Sequence, residues 1–236
     1  MSSENMNFFT KENLNTYLKE LGKEYRRLNG KTIPAEIVLI GGAAIIANYG
    51  FRDMTTDVDA VIHASSSMKD AINHVGDKFH LPNGWLNADF MYTGSYSPKL
   101  DEYSVYYREF SNVLKVRTIS AEYLIAMKLR SGRGYKKDLS DIIGILAEHE
   151  KRDTPLTMTD IDKAVINLYG SWDEIPANSK TFIEDTMKRG NYQQVYDIVS
   201  AEEKHSKELL VKFEQDYPGI VNTENVNDIL RNLKKK

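Results

Sequence analysis

Apolar positions in the first part of the chain recur at spacings of three and four. Leu14, Tyr17, Leu18, Leu21, Tyr25 and Leu28 line one side of a helix predicted over 8–29, and Gly30 ends it. The pattern then contracts to Ile37-Val38-Leu39-Ile40, a short run met at once by Gly41-Gly42, as in a buried strand that stops in a tight turn. Ala43 to Tyr49 returns to a helix-favouring composition, and extended alternation resumes at Thr56 and runs on to His63. A helix is expected over 67–79, followed by a loop through Pro82 and Gly84. Two strands are expected over 102–110 and 112–118, with the break at Ser111-Asn112 making a hairpin. Ser120 stands where it can cap a helix starting at Ala121. Beyond Pro155 helical spacing dominates, over 158–169, 179–188, 192–213 and 225–234, without a chemical motif. This order of elements implies an α+β chain in three parts: a helix over 1–30 packed on the core, the core over 31–150, and a helical region over 151–236.

The chemistry concentrates between Ile37 and His63. Glycine at 41 and 42 permits positive φ and close approach of a ligand phosphate to the backbone, at a helix start whose N–H groups and dipole favour anions. In a strand, Asp57 and Asp59 fall on one side, about 6 to 7 Å apart, a spacing at which two carboxylates can hold one or two divalent ions. Two like charges beside an apolar run repel and are costly to desolvate, so the pair asks for a use. The plainer alternative is a strand–turn–helix–strand unit in which the glycines only turn the chain and the aspartates only begin a strand. Asp138 and Asp141 similarly admit a bland account, as a helix cap and its partner three residues on.

The strand, Gly41-Gly42, and then Asp57-Val58-Asp59 resemble the signature of the nucleotidyltransferase superfamily, the DNA polymerase β-like fold. Ser120 to Leu146 is similar to the helix, basic turn and helix of small bacterial members, among them the abortive-infection, type IV toxin-antitoxin nucleotidyltransferase toxins. Leu81 to Phe90 is similar to an uncharacterised branch. The resemblance covers about residues 30 to 150. It implies a mixed sheet flanked by helices, Mg2+ held by Asp57 and Asp59, and a nucleoside triphosphate substrate, ATP or CTP, cradled at Gly41 and Gly42. It further implies active-site roles for Lys128 and Asp138, with Lys137 and Asp141 as close alternatives. The acceptor would be an RNA such as tRNA, a protein or a small molecule, and a toxin would have a cognate antitoxin as partner. One departure matters: the later strand, where such enzymes often carry a third carboxylate, here offers Lys115 and Arg117, and Asp89, Glu102 and Glu109 sit in no convincing motif. Either Asp138 or Asp141 takes that role, as the toxin-like branch implies, or a second reading holds, a nucleotide-binding module with weak or no turnover whose helical region serves a partner.

Composition narrows the picture in a few places. A chain of 236 residues, 41% hydrophobic and 28% charged, can bury a proper core. No apolar stretch has membrane-spanning length and the first residues lack a signal-peptide pattern, so a cytoplasmic protein without membrane partners is expected. With no cysteine, disulfides and thiolate zinc sites are excluded. A net charge of −3 argues against a surface coated for duplex nucleic acid, although Lys128, Arg130, Arg133, Lys136 and Lys137 form a local basic cluster. The five histidines show no metal-ligand spacing. His63, near the end of its strand, reads more simply as a solvated residue than as support for the site.

Overall fold

The computed structural model describes residues 8–133, 137–222 and 225–234; the first seven residues of the expected N-terminal part and Lys136 of the basic cluster lie outside them. Five strands, β1 (Ala35–Leu39), β2 (Val58–His63), β3 (Leu86–Asn87), β4 (Ser104–Phe110) and β5 (Leu114–Ile119), form one sheet in the order β3-β2-β1-β5-β4. β1 runs antiparallel to β2 and parallel to β5, β3 is parallel to β2, and β4 is antiparallel to β5. The helices among the described residues are α1 (Lys11–Asn29), α2 (Gly41–Asn48), α3 (Ser67–Phe79), α4 (Ala121–Ser131), α5 (Asp138–Lys151), α6 (Met158–Tyr169), α7 (Ala177–Arg189), α8 (Tyr192–Asp216) and α9 (Val226–Leu233). The fold is therefore α+β, a mixed sheet flanked by helices with a helical C-terminal region.

The central strand explains its own composition. β1 lies between β2 and β5 and buries every residue except the half-buried Glu36, so it reads as a continuous apolar run rather than an alternation. α1 turns Leu14, Leu18, Leu21 and Tyr25 inward and packs against α3, whereas Leu28 of the expected stripe is exposed at its end. The helix begins later than its apolar spacing suggests. Thr10 and Asn13 form a reciprocal capping box that stops the helix at Lys11, and Phe9 instead exchanges backbone hydrogen bonds with Thr55, at 2.8 and 2.9 Å.

Other departures have equally local causes. β3 occupies a stretch expected to be loop; two residues are too few for any periodicity to show, and they form a strand only because Val58 and Asp59 of β2 offer an edge. A 3-10 turn over Leu100–Tyr103 delays β4 to Ser104. The hairpin stands as expected: Ser111 and Asn112 both take positive φ, 56° and 54°, the left-handed pair that matches the twist of the flanking strands. Ser120 precedes α4 but does not cap it, because its hydroxyl donates to the Glu122 carboxylate at 2.9 Å. No helix among the described residues is long and apolar enough to cross a membrane.

α5 crosses close behind the turn that follows α2. A Cβ on Gly144 would lie 2.4 Å from the Phe51 ring, so glycine is the side chain that lets this turn pack on α5. Gly144→Ala is expected to lower stability by about 1–3 kcal/mol through overpacking, read from the urea midpoint. An unchanged midpoint would mean that the Phe51 ring moves aside without cost.

Candidate active site

The exit from β1 sets the position of Asp59. The Ile40 N–H donates to the Asp59 carbonyl at 2.9 Å, and the next residue, Gly41, takes φ 54°, which a side chain would strain. α2 starts here without a side-chain cap from Ile40. An Asp59 carboxylate oxygen comes to 4.0 Å from the position a Gly41 Cβ would take. Gly42 serves a different neighbour from the one expected of it. A Cβ there would fall 2.3 Å from Thr55 Oγ1 and 2.9 Å from an Arg52 guanidinium nitrogen, so its missing side chain admits two of the chain's own polar groups.

From that turn a chain of polar contacts runs into the protein. Asp57 lies just ahead of β2, exposed, and accepts a hydrogen bond from Thr55 Oγ1 at 3.1 Å; Thr55 in turn is reached by Arg52 Nη2 at 3.3 Å. Arg52 Nη1 pairs with Asp141 at 2.6 Å, and Lys128 Nζ lies between Asp141 at 2.9 Å and Asp138 at 2.8 Å. Arg133 closes the series on Asp138 at 2.9 Å. Both aspartates are almost fully buried. Burial works to lower the Lys128 pKa, but Asp141 and Asp138 outweigh it and hold the ammonium more firmly protonated than usual. Burial likewise works to raise Asp138, yet Lys128 and Arg133 leave its carboxyl well below the ordinary range.

These contacts replace the helix-cap account of Asp138 and Asp141. Both sit inside the first turn of α5, Lys137 occupies the N-cap position without a side-chain cap, and the carboxylates are committed to cations. The cap comes from elsewhere in the chain. Glu203, buried on α8, accepts the Leu139 and Ser140 N–H groups with one oxygen, at 2.9 and 3.3 Å, while its other oxygen is buried without a hydrogen-bond partner. Burial pushes its pKa up to about 7 against those hydrogen bonds, with the Asp141 charge adding to the rise.

The structure thus gathers Gly41, Gly42, Asp57, Asp59, Lys128 and Asp138 around one turn and one helix start, together with Arg52, Thr55, Arg133, Asp141 and Glu203. Lys137 is exposed beside them. Arg130 turns away, pairing with Glu174 at 2.6 Å. Lys115 pairs with Glu36 at 3.4 Å and Arg117 donates to Ser104, so neither replaces a third carboxylate on β5. Glu109 lies opposite Lys115 on β4, Glu102 is in the 3-10 turn before it, and Asp89 follows β3, its N–H donating to the Asn87 side chain. His63 is half exposed and contacts Asp101 at 2.7 Å, two strand turns along from Asp59. Among the described residues no group of three or more carboxylates or histidines is arranged to hold a metal ion. Two carboxylates suit Mg2+, which commonly takes one or two from the protein and completes its oxygen shell with water and substrate phosphates. No sequence expectation attached a role to Arg52, Thr55 or Glu203. Only the Arg52–Thr55–Asp57 proximity along the chain could have signalled the first two.

A family described as a nucleotidyltransferase of unknown function, DUF6036, matches residues 16–149. No curated protein and no solved structure matches the chain. The family match takes in every member of the cluster except Glu203.

Lys128→Met would leave two buried carboxylates short of their shared cation and is expected to cost about 3–5 kcal/mol. In the wild type, the stability that comes from the depressed Asp138 pKa is present above the ordinary carboxylate pKa and lost as pH falls toward the folded value. The variant should therefore lose part of the wild-type slope of stability below about pH 4, measured by urea unfolding; parallel profiles would refute the coupling. Glu203 has the opposite sign. Its raised pKa means that the folded chain holds a proton the unfolded chain releases, so stability falls as pH rises from about 4 to 7. Glu203→Gln is expected to match the wild type near pH 4 and to exceed it at pH 8 by on the order of 1–3 kcal/mol. A difference that does not change with pH would show that Glu203 titrates normally.

Proposed function

The chain belongs to this family of nucleotidyltransferases of unknown function, and we propose that it moves a nucleoside monophosphate from ATP or CTP to a hydroxyl of an RNA, protein or small-molecule acceptor. The observation that carries this reading is the placement of Asp59 at the Gly41 turn, with Asp57 just ahead of β2 on Thr55 and Arg52 packed against Gly42. Asp57 and Asp59 would hold Mg2+, which when bound supplies charge neutralisation and polarisation of the phosphates. The uncapped start of α2 would orient a phosphate through its N–H groups. In the transfer, the acceptor oxygen bonds to the α-phosphorus, the bond to the oxygen bridging to the β-phosphorus breaks, pyrophosphate leaves, and the hydroxyl proton passes to a base or to water.

Within this reading Asp138 and Lys128 act together rather than singly. A carboxylate held so firmly in its charged form is a weak proton acceptor, so Asp138 serves by keeping Lys128 and Arg133 in place. Arg52, Lys128 and Arg133 together outweigh Asp138 and Asp141, so the cluster as a whole would add positive potential behind the turn where phosphate charge collects, a contribution of positioning and electrostatics. Lys137, exposed at the start of α5, is available to a triphosphate that extends toward it. Similarity to the type IV toxins makes growth arrest by the free protein, relieved by a cognate antitoxin, part of the same proposal.

Each of the four α-labelled nucleoside triphosphates, with Mg2+ and a cell extract, is expected to reveal transfer by the wild type and none by Asp57→Asn/Asp59→Asn, with unfolding midpoints within about 1 kcal/mol. Expression should arrest growth, and Asp57→Ala should relieve it. Equal labelling by the double variant would overturn the roles of the two aspartates. Nucleotide binding by folded wild type without transfer would favour the binding-module alternative, and harmless expression would count against the toxin.

A further inference from the structure

α8 lies beyond the family-matched residues and packs along α5. Two of its side chains make specific polar contacts with the cluster's supports. Glu203 caps α5 at Leu139 and Ser140, the residues between Asp138 and Asp141. Tyr196 donates its hydroxyl to the Phe51 carbonyl at 3.1 Å, the residue before Arg52, and its ring meets the Phe51 ring edge-on at 5.8 Å. Residues seven apart on a helix share a side and stand about 10 Å apart. One side of α8 therefore grips both halves of the Arg52–Asp141 ion pair, the turn that carries the arginine and the helix start that carries the aspartate.

We infer that Glu203 and Tyr196 are positioning residues, a strut from the C-terminal helical region that sets Arg52 against Asp141 and thereby holds Arg52 at Gly42 and Thr55. The inference rests on reading this cluster as the transfer site, but its physical content is the register of two segments. The need for such a strut follows from the local sequence. The 50–57 segment is joined by backbone pairing to Phe9, itself outside the sheet, and Lys137 gives the start of α5 no side-chain cap. Without support, the long Arg52 side chain would lose its fixed geometry to rotamer entropy. Glu203 accepts two N–H groups that would otherwise be buried at a helix start, which fixes the first turn of α5 and with it the Asp141 carboxylate. The second Glu203 oxygen is buried without a hydrogen-bond partner, so the cap acts through one oxygen alone.

Hydrogen–deuterium exchange of the full chain separates this from a merely structural role. Glu203→Ala is expected to raise exchange about tenfold at 139–142 and, through the Arg52–Asp141 pair, at 52–57, with β1 and β5 unchanged. Glu203→Gln keeps a carbonyl acceptor and should restore both segments, while Tyr196→Phe should raise exchange at 52–57. A rise confined to 139–142 would overturn the strut, as would protection unchanged in Glu203→Ala. An even rise across the chain that glutamine does not rescue would make Glu203 a packing residue only. Failure of the wild type to transfer nucleotide would overturn the proposed function and leave these exchange patterns to decide the strut on their own.

Discussion

The Lys128 ammonium between Asp138 and Asp141 is the interaction on which the rest of the site depends. Three ionised groups sit where water is largely excluded, and each would be costly alone. Together with Arg52 and Arg133 they alternate in sign, so every charge meets an opposite one within hydrogen-bonding distance. That alternation ties α4 to α5 and both to the turn after α2. It also sends one cation, Arg52, back toward Thr55 and Asp57, so the buried network and the exposed Asp57 are parts of a single electrostatic arrangement.

The sheet contributes the other half of the geometry. β1 ends against β2 through the Ile40–Asp59 backbone contact, which fixes the height of Asp59 relative to the Gly41 turn. Phe9 pairs with Thr55 and draws the connection between α2 and β2 against the N-terminal segment. Thr55 is thereby held from one side by backbone and from the other by Arg52. Gly42 matters because the turn and the returning chain press together here, and a methyl group would displace both Thr55 and Arg52.

The C-terminal helices relate to the site by support rather than by chemistry. α8 supplies the cap that α5 lacks and a hydroxyl for the Phe51 carbonyl, and the burial that makes Glu203 an effective cap is the same burial that raises its pKa. The family match ends at residue 149, before α8 begins.

Much of the architecture was legible in one dimension. The apolar stripe of α1, the run of β1 before its glycines, the Asp57-Val58-Asp59 entry to β2, the hairpin at Ser111-Asn112 and the C-terminal helices follow from periodicity and turn chemistry, which act between near neighbours. β3 was not legible, because two residues become a strand only when an edge is offered to them. Nor were the partners of Lys128, Asp138 and Arg52, since charge pairing across 5 to 89 residues leaves no periodic trace. The amino-acid sequence by itself determined which elements form and that two aspartates follow a glycine turn. Tertiary structure alone decided that Asp138 and Asp141 neutralise a buried lysine, that Gly42 makes room for Arg52, and that the cap of α5 comes from Glu203, because desolvation and long-range pairing exist only once the elements are packed.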